Sequence, residues 1–311
     1  MGKVWGIVGG GFGLYGYLPA LRDEENASQI LILEKHMPFV NSREDLRECL
    51  PQITAVKSRN EIFEFADSLI LSVPPLIQEQ YIFQPIFKKY QNLLLEKPLS
   101  PTPQSSIEML ERGISTSSSL RIGYSFSYSK WGQEIYGNNV LLQSGDFEFL
   151  WFFSSHHYIN KYKSWKSDHK AGGGALRFYG IQLIAFISLM GDVDVESSIL
   201  EIDKNGEAFK WFGVLKIKNG ARISIKLNSH HPESLFQLKK IGCADNILVD
   251  LKNPFELEKI NCGRNGDERV PILKKILDSF EEVEDLNQYS SYDKINRLWL
   301  EIENVTISRY L

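Results

Sequence analysis

The first 120 residues alternate short apolar runs with amphipathic stretches. Lys3–Val8, Gln29–Glu34, Ile53–Val56, Ser68–Val73 and Asn92–Glu96 read as strands. Wholly apolar runs such as Leu69-Ile70-Leu71 and Leu93-Leu94-Leu95 suit a parallel sheet covered on both faces. Gly13–Arg22, Arg43–Leu50, Glu61–Ala66, Ile77–Tyr90 and Ser105–Arg112 read as helices between them. This alternation predicts an α/β fold with an N-terminal Rossmann, doubly wound parallel sheet over residues 1–121. The pattern then changes. Phe147–Ser154, Ser197–Asp203, Phe209–Ile217, Ala221–Asn228, Leu235–Ile241 and Ile247–Leu251 read as strands, with turns such as Lys218-Asn219-Gly220 between them. With helices at Ala175–Met190, Pro271–Phe280 and Ser291–Val305, residues 122–311 form a C-terminal α+β domain around a large, mostly antiparallel sheet.

Val4–Leu21 carries no charge over eighteen residues, close to the length of a membrane span. Six glycines and Pro19 within it make a poor apolar helix, so it reads as a buried strand, a glycine turn and a helix start. In Gly9-Gly10-Gly11-Phe12-Gly13-Leu14 the first glycine permits a tight turn and Gly11 lets backbone approach a pyrophosphate. The helix start behind them offers N–H groups and a positive dipole end. The register Gly9-x-Gly11-x-x-Leu14 places Gly9 at the strand end, and Gly13 eases helix–strand packing; Gly11-x-Gly13-x-x-Gly16 starts late. Glu34, at the end of the next strand, can accept both ribose hydroxyls and repel a 2′-phosphate, which favours NAD. Lys35 beside it keeps NADP open.

Composition narrows the partners. A net charge of -4 with mixed signs argues against nucleic acid. Cys49, Cys243 and Cys262 are far apart and form no CxxC pair, and the adjacent pairs His156-His157 and His230-His231 would point to opposite faces of a strand. Neither a disulfide framework nor a metal site is expected, and a reducing, cytoplasmic setting with no membrane contact fits best.

Leu95-Glu96-Lys97-Pro98-Leu99, at the end of a late Rossmann strand, carries a family resemblance together with four other segments. These are Leu18-Pro19-Ala20-Leu21 behind the glycines, Ser72-Val73-Pro74-Pro75, Gly123-Tyr124-Ser125-Phe126 and Gly172-Gly173-Gly174-Ala175-Leu176. The chain resembles the glucose-fructose oxidoreductase/inositol dehydrogenase (Gfo/Idh/MocA) family over nearly its whole length. The resemblance implies hydride transfer between NAD(P) and a carbon bearing oxygen, on a small molecule such as a sugar or sugar nucleotide. It places Lys97 beside the nicotinamide and the reacting oxygen, where an ammonium stabilises developing negative charge. Ser72, Pro74, Pro75 and Glu96 would border the cofactor with Gly9, Gly11, Phe12, Gly13, Leu14, Glu34 and Lys35. Tyr124, Trp165, His169 and Gln182 would contact substrate with Lys97. A homodimer or homotetramer is also implied.

The catalytic half departs from the family. Phe178 and Gln182 stand where an aspartate and a histidine are usual, and neither exchanges a proton near neutral pH. Gln78 replaces a histidine common after the proline pair, and Ser127 an arginine. Three readings follow. Lys97, alone or with Tyr179, Tyr124 or His169, supplies the proton while Gln182 orients substrate. The chain is a specialised reductase like the biliverdin reductases, with Trp131, Trp151 and Trp165 lining an aromatic pocket. Or it binds a dinucleotide without turnover, as a sensor or regulatory protein.

Overall fold

A computed structural model describes residues 3–22, 27–242, 246–261, 266–282 and 286–311; Cys243 and Cys262 lie outside them, and Cys49 is a buried free thiol. The chain divides into two compact units that interleave along the sequence. The first comprises Met1–Leu99, Glu108–Tyr128 and Glu258–Gln288; the second comprises Ser100–Ile107, Ser129–Leu257 and Tyr289–Leu311.

The first unit is built on six parallel strands, β1 (Lys3–Val8), β2 (Ala27–Leu33), β3 (Ile53–Val56), β4 (Ser68–Leu71), β5 (Tyr90–Leu95) and β6 (Ser117–Ile122), in the order β3-β2-β1-β4-β5-β6. Every residue of β4 is buried, as its apolar run demands of a strand covered on both faces. The order reverses between β1 and β4, which creates a switch point at the carboxyl edge. Val4–Leu21 is strand, glycine turn and helix, the last opening with a π-helical turn at Gly13–Tyr17 and continuing as α-helix at Leu18–Arg22. Among the described residues no helix is long and apolar enough to cross a membrane.

Two expectations need correction. The helix expected over Ile77–Tyr90 spans Pro75–Ile82, and β5 begins already at Tyr90. Pro85 has no N–H to give and disfavours helical backbone at Gln84, so the helix ends before it. β6 stands where no strand was expected, since Ser117-Ser118-Ser119 lacks the apolar run that marks the other strands of this sheet. Burial of this polar strand is compensated by hydrogen bonds. Ser117 Oγ donates to the Gly113 carbonyl at 2.7 Å. Arg121, 2% exposed, donates to Ser119 Oγ at 3.1 Å and to Ser279 Oγ at 2.8 Å, with its guanidinium 4.9 Å from the Phe280 ring centroid. These bonds tie the segment after residue 258 into the first unit.

The second unit carries β7 (Gly145–Ser154), β8 (Val193–Ile202), β9 (Ala208–Ile217), β10 (Ala221–Asn228), β11 (His230–Lys240), β12 (Ile247–Leu251) and β13 (Thr306–Tyr310), in the order β12-β11-β7-β10-β9-β8-β13. The β8–β9–β10 meander and the β11 pairs are antiparallel, whereas β7–β10 and β8–β13 are parallel. Alternating burial along β10 shows one face on the core. That core includes the fully buried helix Ile181–Ser188 and Trp131, whose ring lies 4.9 Å from those of Phe186 and Phe236. Trp131 Nε1 donates to the Pro254 carbonyl at 2.9 Å.

Trp131→Ala is expected to destabilise the second unit by about 3–5 kcal/mol, since it opens a large cavity and orphans a buried carbonyl. Urea unfolding at pH 7 measures this; a loss below about 1 kcal/mol would contradict the packing described.

Candidate functional site

Gly9, Glu34, Ser72 and Glu96 each directly follow a parallel strand, β1, β2, β4 and β5, so the expected cofactor residues share the carboxyl edge of one sheet. Gly9 has φ +152°, and a Cβ there would overlap the carbonyl oxygen of Ser72. Only glycine permits both this backbone and this approach. A Cβ on Gly13 would lie 3.0 Å from Ile7 Cγ2, which supports the packing role expected of it. Gly11 differs: a Cβ there would meet no heavy atom within 4 Å, so this stretch of backbone is uncovered. The Gly11 carbonyl accepts from the N–H groups of Leu14 at 2.9 Å and Tyr15 at 3.2 Å, which sets the helix start. An open glycine backbone running into a helix start fits a pyrophosphate.

Glu34 and Lys35 are exposed on the short 3-10 turn Glu34–His36. His36, which the sequence reading passed over, covers one side of the loop, since a Cβ on Gly10 would come within 2.5 Å of its ring. Burial, then Lys35, hold the His36 imidazole below its ordinary pKa. Phe12 is sandwiched from elsewhere in the unit. The Arg269 guanidinium lies 4.2 Å from its ring centroid, and Tyr15 and Tyr17 meet it edge-on at 5.5 and 5.3 Å. Burial pulls the Arg269 pKa down, but hydrogen bonds to Asp267, at 2.8 and 2.7 Å, outweigh it and keep the group charged. No local signal links Arg269 to Phe12, because the two are distant in sequence.

The Lys97–Pro98 bond is cis. Beside it, the Glu96 carboxyl accepts from the Tyr17 hydroxyl, and from the Lys97 N–H at 3.2 Å. Burial raises the Glu96 pKa, opposed by the Lys97 charge and the Tyr17 bond. Tyr124 is buried in the same unit.

The second unit holds Trp165, His169, Phe178, Tyr179 and Gln182. Gly174 has φ +84°, and a Cβ there would lie 2.7 Å from the Ala208 carbonyl; one on Gly173 would overlap the Trp165 carbonyl. The glycine run is thus needed for close backbone packing beneath these side chains. Trp165 and Phe178 meet edge-on with centroids 5.1 Å apart. Trp131 and Trp151 are 1% and 7% exposed and pack among the aromatic rings of the second unit's core. Arg177 donates to both carboxylate oxygens of Glu303 at 2.7 and 2.6 Å and to the carbonyls of His169 and Pro101 at 3.0 Å. Burial, then the Arg177 charge, lower the His169 pKa to about 4, which leaves it neutral at pH 7 and removes it as a proton donor there.

Tyr179 packs against Phe153 and Phe178, each at 4.7 Å, and its hydroxyl is hydrogen-bonded to Ser155; burial raises its pKa. Ser155 Oγ lies 3.2 Å from His157 Nε2, and His157 Nε2 2.5 Å from Glu207 Oε1, which His230 Nε2 approaches at 3.0 Å. One histidine from each adjacent pair therefore meets a single carboxylate, a convergence that spacing did not reveal. Burial pushes the Glu207 carboxyl up, but the hydrogen bond with His157 and the close approach of His230 Nε2 overcome this and bring it to about 2. Ser155 and Glu207 both use the same imidazole nitrogen, so the group lacks the relay geometry of a nucleophilic triad.

No family model matches the chain, and no curated protein matches it. Solved structures do. KijD10, a 3-ketoreductase from Actinomadura kijaniata solved with NADP and TDP-benzene, is similar at TM-score 0.68 and 13% identity, over 100% of both chains. GenD2 from gentamicin A biosynthesis, solved with NAD, is similar at TM-score 0.72 and 13% identity, over 98% of this chain and 94% of its own. An oxidoreductase from Thermotoga maritima is similar at TM-score 0.72 and 14% identity, over 98% and 97%. At such identities the likeness establishes the two-part fold.

Gly9→Ala is expected to cost about 2–3 kcal/mol by forcing backbone apart, while Gly11→Ala leaves stability within about 0.5 kcal/mol; paired urea titrations read the contrast. Stability also depends on pH. With a folded pKa of about 4 against 6.5, His169 binds its proton more readily when unfolded, so stability falls as pH drops from 6.5 to 4. Glu207 contributes stability above pH 4.5, lost as pH falls towards 2. His169→Gln should flatten the first interval and Glu207→Gln the second, in unfolding free energy measured against pH.

Proposed function

We propose that this chain is an NAD(P)-dependent oxidoreductase acting on the carbonyl or hydroxyl carbon of a sugar-like or sugar-nucleotide substrate. The observation that carries the reading is the uncovered Gly11 backbone at the switch point, between the Gly9–Ser72 contact and the helix start. A nicotinamide dinucleotide bound there supplies or accepts the hydride. Gly9, Gly11, Phe12, Gly13 and Leu14 hold the pyrophosphate by backbone, and Glu34 with Lys35 meets the adenosine ribose. Ser72, Pro74 and Pro75 follow β4 at the same edge and bound the reacting end, with Glu96 and Lys97 after β5. Lys97 donates a hydrogen bond to the substrate oxygen and stabilises charge that grows on it as hydride arrives at the carbon. Tyr124, buried in the same unit as Lys97, is the further side chain that would orient the substrate. The NADP, NAD and TDP-benzene held by KijD10 and GenD2 favour this cofactor and substrate class.

A second reading, a dinucleotide-binding regulator without turnover, is favoured by Phe178, which packs on Trp165 where an acid–base group would be needed. The two readings part in one experiment. NADH titration followed by fluorescence should saturate, and Gly11→Ala should weaken it about tenfold or more by crowding the phosphates. Single-turnover oxidation of bound NADH with TDP-linked keto sugars should then be seen, and Lys97→Ala should slow it about 100- to 1,000-fold. Saturable binding with no oxidation across the panel would favour the regulator. Absence of binding at millimolar NADH would overturn both readings.

A further inference from the structure

Resting on the hydride-transfer reading, we propose that Gln78 is the positioning residue for Lys97. Gln78 lies on the helix Pro75–Ile82, which starts directly from the Ser72–Pro75 turn, and its side chain is fully buried. Its Nε2 donates to the Glu96 carbonyl at 2.8 Å and to the Leu99 carbonyl at 3.0 Å. Its Oε1 accepts from the Glu96 N–H at 3.1 Å, a hydrogen also directed at the Leu71 carbonyl at 3.0 Å. Three bonds from one carboxamide thus land on the backbone on both sides of Lys97. They fix that backbone to the helix that begins at the Ser72–Pro75 turn.

The chemistry selects glutamine. A carboxamide carries two N–H donors and an acceptor in one plane, and all three functions are used here. A neutral histidine has one donor and one acceptor on separate ring atoms, so it leaves at least one of the three backbone groups without its bond. A leucine satisfies none, and an ionised glutamate turns a charge towards two carbonyl oxygens. Each buried carbonyl left unpaired favours movement of the turn that carries Lys97. What stood out in the sequence as a loss from the catalytic half is, in the fold, the clamp on its lysine.

The test uses the full-length chain with its lysines reductively methylated with 13C-formaldehyde. The Lys97 resonance is identified by its loss in Lys97→Arg. In folded Gln78→Leu that resonance should shift and its pH titration should move, while NADH affinity changes only a few-fold. The single-turnover hydride rate should fall about 100-fold with little change in apparent KM, as expected when a reacting group is displaced by about an ångström. Gln78→Glu should regain rate as pH is lowered and its carboxyl recovers a donor. A purely structural role would lower the unfolding midpoint yet leave the native Lys97 resonance and its titration unchanged, and that result overturns the proposal. Should Gln78→Leu fail to fold, Gln78→His, which keeps one donor and one acceptor, decides by the same resonance. Failure of wild-type chain to bind NADH would sink the oxidoreductase reading, while the Lys97 spectra would still decide the role of Gln78.

Discussion

In the first unit the backbone of Gly9 approaches the carbonyl of Ser72, and the rest of the candidate cofactor edge depends on that approach. β1 and β4 are hydrogen-bonded neighbours that diverge in connection at the switch point, so the segments leaving them share one corner of the sheet. Because Gly9 has no Cβ, the two segments close on each other without displacing backbone. The Ser72–Pro75 turn held there starts the helix that carries Gln78, and Gln78 in turn holds the turn around Lys97. A side chain at position 9 would therefore disturb a series of contacts reaching from the glycine loop to the lysine.

A second series runs through Tyr17. Its ring packs edge-on against Phe12 in the glycine loop, and its hydroxyl donates to Glu96, whose other oxygen accepts from the Lys97 N–H. Loop and lysine are thus linked by two routes, one through backbone and carboxamide and one through rings and a buried carboxyl. Such redundancy would suit the hydride transfer proposed above, where a small displacement of a reacting group lowers the rate steeply.

The second unit solves a different problem. Its charged groups meet in multidentate clusters, Arg177 with Glu303 and two carbonyls, and Glu207 with two histidines. Buried charges persist only when paired and hydrogen-bonded in this way. The consequence for chemistry is selective. His169, beside the Arg177 cation, is kept neutral, whereas Glu207, between His157 and His230, stays ionised far into acid.

The parallel sheet, the glycine turn and the strand-end positions of Glu34 and Lys97 were legible along the chain, because they arise from local rules: strand runs, turn sterics, and elements that alternate in order. The serine-rich β6 escaped, since its buried hydroxyls are satisfied by the Gly113 carbonyl and by an arginine that also bonds Ser279 far downstream. Arg269 over Phe12, His36 against Gly10, the histidines on Glu207 and the three bonds of Gln78 escaped for the same reason. Each is a contact between segments that only folding brings within hydrogen-bond range. By itself the sequence determined which backbone could pass through the corner of the sheet. Which side chains stand behind that corner was decided by tertiary structure, because burial and pairing are properties of neighbours and not of position along the chain.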